Sequence, residues 1–150
     1  MAVSMQWIIP GRILLVRFAA LSTVEAYVDA ALRVHQMMGD SAAVGRSYVH
    51  IIADLEAIED FPRPITGLAE AIQRAVTPHP NTGWILPISS QPFVRFVASL
   101  TVQTLIKYPR YHVVRSVETA IEFLRGRDPN LASLPTAMLV EQVLQIERAN

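Results

Sequence analysis

Cysteine is absent from the chain. That excludes disulfides, thiolate nucleophiles, iron–sulfur clusters and thiolate zinc sites. Charge is scarce too: 17% of residues are charged, against about 25% in an average soluble domain. Thirteen basic residues balance thirteen acidic ones, so no excess of either sign points to nucleic acid or an acidic membrane surface. The one stretch mixing cations with tyrosines, "KYPRYHVVR" at Lys107–Arg115, is too small to reverse that expectation of no nucleic-acid binding. No P-loop, GxGxxG turn, GxSxG elbow, HxxxH or HExxH spacing occurs, so nothing points to a cofactor, a metal or an enzyme. No run reaches the roughly 18 apolar residues of a membrane span. Met1–Val16 lacks the basic start and unbroken apolar centre of a signal peptide, because Pro10, Gly11 and Arg12 interrupt it. A cysteine-free chain of this kind is expected in the cytoplasm.

Apolar residues are plentiful, at 51% of 150 positions. That is enough for one full-sized core. Their spacing alternates between strand-like and helix-like. "MQWII" and "RILLVRFA" flank a Pro-Gly pair and read as two strands around a type II turn. "STVEAYVDAALRVHQMMGD" reads as a helix, with Ser22 and Glu25 as a capping box and Gly39 as its stop. "SYVHIIADLEAI" is apolar nearly throughout, as strands covered on both faces are. Helix "ITGLAEAIQRAV", strand "TGWILPIS", helix "QPFVRFVASLTVQTLI", strand "YHVVRSV" and helix "ETAIEFLRGR" follow. A loop and an amphipathic helix close the chain. The order predicts an α/β fold with a mixed, mostly parallel sheet and a C-terminal helix. Residues 1–126 are expected to form the α/β body. Residues 127–150 are expected to pack on that body or on a neighbouring subunit.

The strand hairpin, the "IIADLEAI" strand at Ile51–Ile58 and a helix opening at Thr66-Gly67-Leu68 resemble the STAS family. Those are the domains of anti-sigma-factor antagonists and of sulfate-transporter tails. The resemblance covers about residues 5–126 and implies a non-enzymatic regulatory module that binds a protein partner. Antagonists carry Asp-Ser-Ser-Gly at this helix start, where this chain has Pro64, Ile65, Thr66 and Gly67. By that placement Thr66 becomes a candidate phosphoacceptor; the competing reading makes it a helix N-cap.

Asp54 is expected at the carboxyl end of a central strand, where open α/β sheets bind ligands or partners. Glu56, Glu59 and Asp60 would form the rim of that site, and Gly67 a close approach at the next helix. A solvated loop stiffened by Pro62 and Pro64 is the alternative. His50 and Asp54 share a strand face but lie roughly 13 Å apart by strand rise, too far to pair. Ser89 and Ser90 suit either a pocket wall or a helix cap. His35 and His79 are read as structural or solvated.

The helix at 93–106 carries no acidic residue and has apolar residues on nearly every side. Such a helix needs cover on both sides. The tail, a second subunit or lipid would supply it. Val94, Val97 and Val102, with Leu139 and Val143 of the tail, are therefore candidates for a homodimer interface. A small apolar ligand or lipid is the alternative occupant of so apolar a domain.

Overall fold

The computed structural model describes residues 3–19, 23–41, 48–75, 79–102 and 107–149. Strands β1 (Val3–Ile9) and β2 (Ile13–Phe18) form an antiparallel hairpin. Its turn closes with the Arg12 N–H donating to Ile9 O at 2.9 Å. Gly11 sits at φ +70°, the left-handed value that a type II turn requires after proline. Helix α1 (Val24–Ser41), strand β3 (Val49–Asp54), helix α2 (Ile65–Ala75), strand β4 (Thr82–Ile88) and helix α3 (Pro92–Leu100) follow. Helices α4 (Val117–Arg127) and α5 (Thr136–Ala149) complete the chain.

The sheet order is β1-β2-β3-β4, with β2, β3 and β4 mutually parallel. The fold is thus α/β with a mixed, mostly parallel sheet and a C-terminal helix. Side chains of successive strand residues point to opposite faces, and here both faces are apolar. Leu14, Val16, Val49 and Ile51 face α1, α2 and α3, meeting Tyr27, Met38, Leu68, Val94 and Ala98. Ile13, Leu15, Ile52, Leu86 and Ile88 face the other way, meeting Ile121, Leu124, Leu139 and Val143 of α4 and α5. The three crossover helices share one face because strand order follows chain order and each crossover keeps the same hand.

Several expectations need correction. The fifth strand shrinks to two isolated parallel bridges, Ile85 with Tyr111 and Ile88 with Val114. Helix α1 opens after Thr23, whose hydroxyl accepts from the Ala26 N–H at 3.3 Å. Ser22 lies outside the described residues, and the helix runs past Gly39 to Ser41. The tail does not cover α3. It packs against α4 and β1 on the opposite face of the sheet. Val94, Val97, Leu139 and Val143 are buried in the chain's own core, and Val102 is half-buried. Those side chains leave little or nothing for a second subunit to cover. What α3 exposes is Phe93 and Phe96, at 41% and 63%. Positions 103–106 of the expected helix lie outside the described residues.

Candidate functional site

The parallel strands offer two ends. At the carboxyl end, Asp54 closes β3 and pairs with Arg17, its register partner on β2, at 3.2 Å. The Asp54 carboxylate also accepts from the Glu56 N–H at 3.1 Å, which turns the chain out of the strand. Glu56 then accepts from the Ser90 hydroxyl at 2.9 Å. The Gln91 amide donates to Ile58 O at 3.1 Å. Loop 55–64 is therefore fastened to the β4–α3 connection.

Its underside is fastened as well. Ile58 is fully buried, and Phe61 lies on the Tyr27 ring at 5.9 Å, with Phe18 on the ring's other neighbour side at 6.1 Å. Burial, with the Asp60 charge nearby, pushes the Tyr27 pKa up to about 12. Of the expected rim, Glu56, Glu59 and Asp60 are exposed. Asp60 pairs with Arg63 at 3.3 Å. The Arg63 guanidinium lies 5.9 Å from the centroid of the exposed Phe93 ring.

Thr66 is exposed and is the second residue of α2, so it is not the N-cap. Pro64 O accepts the first described helical bond, from Leu68 N–H at 3.1 Å. Gly67 lies against Pro64: a Cβ there would come within 3.2 Å of the proline ring. Ser89 is buried, and its hydroxyl accepts from the Gln91 N–H at 3.1 Å. Helix α3 has Gln91 at its cap position with no side-chain cap, so neither serine caps it.

The amino end holds a constellation that sequence reasoning missed. Val49 pairs with Thr82 and Ile51 with Ile85. Two residues of β4, Gly83 and Trp84, thus face the single residue His50. This is a β-bulge, which takes backbone groups out of the ladder. Side chains satisfy them. The Trp84 N–H donates to His50 Nδ1 at 3.0 Å. The Tyr108 hydroxyl lies 2.6 Å from Gly83 O and 2.8 Å from Thr82 O. Arg110 Nη2 donates to Thr82 O at 2.8 Å. The Arg110 guanidinium is held between Tyr48 and Tyr108, 5.0 and 5.7 Å from their ring centroids. The only residue that fits beside the imidazole is glycine, because a Cβ on Gly83 would lie 2.4 Å from His50 Nδ1.

The other imidazole nitrogen reaches across the sheet. His50 Nε2 lies 2.8 Å from Asp128 Oδ2, and both residues are buried. Since Nδ1 accepts, Nε2 carries the hydrogen and donates it to the carboxylate. Burial lowers the His50 pKa, and the Arg12 and Arg110 charges lower it further against the opposing pull of Asp128. Burial works against the Asp128 carboxylate. The bonds from His50 and the Asn130 N–H, with the nearby Arg12 charge, outweigh it and hold that pKa below the ordinary value. The pair is a neutral imidazole on a carboxylate.

This cluster has the composition of a catalytic dyad but not its freedom. A general base needs a nitrogen free to take a substrate proton, and both nitrogens of His50 are occupied within the fold. Among the described residues no group of three or more His, Asp or Glu is placed to hold a metal, and no helix is long and apolar enough to cross a membrane. No protein-family model, curated protein or solved structure matches the chain. The bulge had one legible signal, Gly83 inside an otherwise apolar strand, a recognised mark of a bulge. Asp128 had none, since 78 residues separate it from His50.

Proposed function

We propose that the chain is a non-enzymatic, STAS-like regulatory module that self-associates and binds a protein partner at the carboxyl end of its sheet. The observation that carries this reading is the pair Phe93 and Phe96, exposed at 41% and 63% beside an anchored acidic loop. Exposed aromatic rings next to a polar rim have the composition of a protein interface. Covering them favours association at about 25 cal/mol for each Å² of apolar surface. Glu56, Glu59 and Asp60 would orient a partner carrying basic groups and speed its encounter. The order of a hairpin followed by βα units supports the STAS likeness. Thr66 stays available as a phosphoacceptor in the first turn of α2. A phosphate there adds a charge of about −1.5 to −2 beside the acidic rim and would weaken a partner attracted by that rim. A cysteine-free regulatory module is consistent with a cytoplasmic setting.

Light scattering and sedimentation at micromolar concentration test the self-association. The unaltered chain is expected as a dimer and Phe96→Glu as a folded monomer. A monomer of 16.7 kDa at every concentration would overturn the claim. A second reading rests on a shallow groove of about 570 Å³ between α1 and α2, lined by Val24, Val28, Leu32, Ala71 and Ala75 and by the charged Glu25, Asp29 and Arg74. It would take a small apolar ligand or lipid. Native mass spectrometry, reporting any molecule that travels with the chain, separates the two readings.

A further inference from the structure

We propose that the His50–Asp128 bond is an acid-operated latch: a proton taken up at His50 Nδ1 breaks the contact with Trp84 and loosens the 128–149 segment from the amino end of the sheet. The geometry leaves the proton no acceptable place. Nδ1 already faces the Trp84 N–H at 3.0 Å, so a second hydrogen there sets donor against donor. The imidazole lies so near Gly83 that a Cβ there would clash with Nδ1 and Cε1, so a turn toward β4 brings the ring onto that residue. Moving it the other way gives up the bond to Asp128.

The surrounding charges favour the neutral ring. Arg12, from the β1–β2 turn, and Arg110, from the segment after α3, both act on His50. Among the described residues Asp128 is the one carboxylate that opposes them. Tyr48 and Tyr108 flank Arg110 as neutral rings. Among the described residues Arg12 Nη1 is buried with no hydrogen-bond partner, and two guanidinium groups act on His50 against one carboxylate. A further cation in a buried site is costly unless it is paired.

What the latch holds is set by Asp128. Its backbone N–H caps α4 by donating to Leu124 O at 2.8 Å, and its carboxylate accepts from the Asn130 N–H at 2.9 Å. Leu131, three residues on, is buried, and its N–H donates to Asp128 O at 3.0 Å. Trp84 adds a second tie, its ring meeting Phe123 of α4 edge-on at 4.9 Å. Losing the His50 bonds therefore loosens the β4 bulge and the α4–α5 connection together. The carboxyl-end loop 55–64 shares none of these contacts.

Hydrogen exchange read by mass spectrometry and NMR on the whole chain tests this. After correction for intrinsic rates, the Trp84 amide and the 128–149 segment should exchange at least about tenfold faster at about pH 5 than at about pH 7.5. Loop 55–64 should change little. His50→Gln, which cannot titrate, should abolish the difference. If that variant does not fold, the imidazole ¹⁵N shifts of the unaltered chain decide. Nδ1 must be unprotonated at neutral pH and gain its proton over the interval in which Trp84 exchange rises. Asp128→Asn, which removes the opposing carboxylate, should move that interval to lower pH. Exchange that is independent of pH overturns the latch. So does acceleration spread evenly over the chain, or His50 titration with no change at Trp84.

Discussion

At the amino end of the parallel strands, side chains from two distant segments, His50 of β3 and Tyr108 after α3, bond to two irregular residues, Gly83 and Trp84. At the carboxyl end, acidic side chains from one short segment spread over a loop, and two aromatic rings beside it face solvent. Both ends are rich in hydrogen bonds, but the bonds do different work. At the amino end they replace ladder bonds that the bulge removed, among groups that are buried or part-buried. An unmade bond there would cost the full desolvation of a buried group. At the carboxyl end the bonds are part-buried or exposed, some long in sequence range, as in Ser90 with Glu56, and some short, as in the exposed pair Asp60 with Arg63. Exposed pairs of that kind contribute about 0–1 kcal/mol. Polar residues therefore mark stability at one end and availability at the other.

Substitutions can break this contrast, and the largest effect is expected at Gly83. Gly83→Ala drives a methyl group into the His50 ring and should destabilise by about 3 kcal/mol or more, since the overpacking also breaks the Trp84 bond. The midpoint of urea unfolding measures it. Asp128→Ala comes next. It leaves the neutral His50 Nε2–H without its acceptor, which should cost about 1–3 kcal/mol, and the loss should appear as premature exchange in α5.

The pH dependence sharpens the contrast without altering the chain. His50 has a lowered pKa in the fold. The unfolded chain therefore binds more protons as pH drops below the ordinary value of 6.5. The stability contributed by neutral His50 is full above that value and is lost as pH falls toward the folded value. Urea unfolding from neutral to mildly acidic pH should show this slope in the unaltered chain and a shallower one in His50→Gln.

At the carboxyl end, Phe96→Glu should change monomer stability by no more than about 0.5 kcal/mol while abolishing the dimer in sedimentation. The smallest effect is expected at Thr66→Ala. A true N-cap would lose about 1 kcal/mol, but Thr66 lies inside the first turn, so the loss should stay below about half of that. A larger loss in thermal unfolding would reinstate a capping role.

The carboxyl end was legible because its determinants are local. Asp54 at a strand end, the acidic run after it and the proline-framed helix start lie within a few residues of each other. The misreadings there, Thr66 as a cap of α2 and Ser89 or Ser90 as a cap of α3, are matters of one or two positions at a helix boundary, where propensity discriminates poorly. The apolar helix α3 was also recognised, but its periodicity could not say which face the core would take. Val94 and Val97 went inward, and Phe93 and Phe96 were left outside.

Sequence by itself determined the α/β class, the element order apart from the fifth strand, the Pro10-Gly11 turn and the two-faced apolar character of β3. Those features follow from alternation, turn chemistry and burial demand, which act over a few residues. Tertiary structure alone decided that α5 covers the face opposite α3, that the last extended segment pairs through two bridges, and that His50 meets Asp128. The reason is physical. A hydrogen bond between residues 78 apart leaves no periodic trace in either segment. It exists because the fold places a bulge and the end of α4 at one buried point where an unpaired imidazole or carboxylate would be costly.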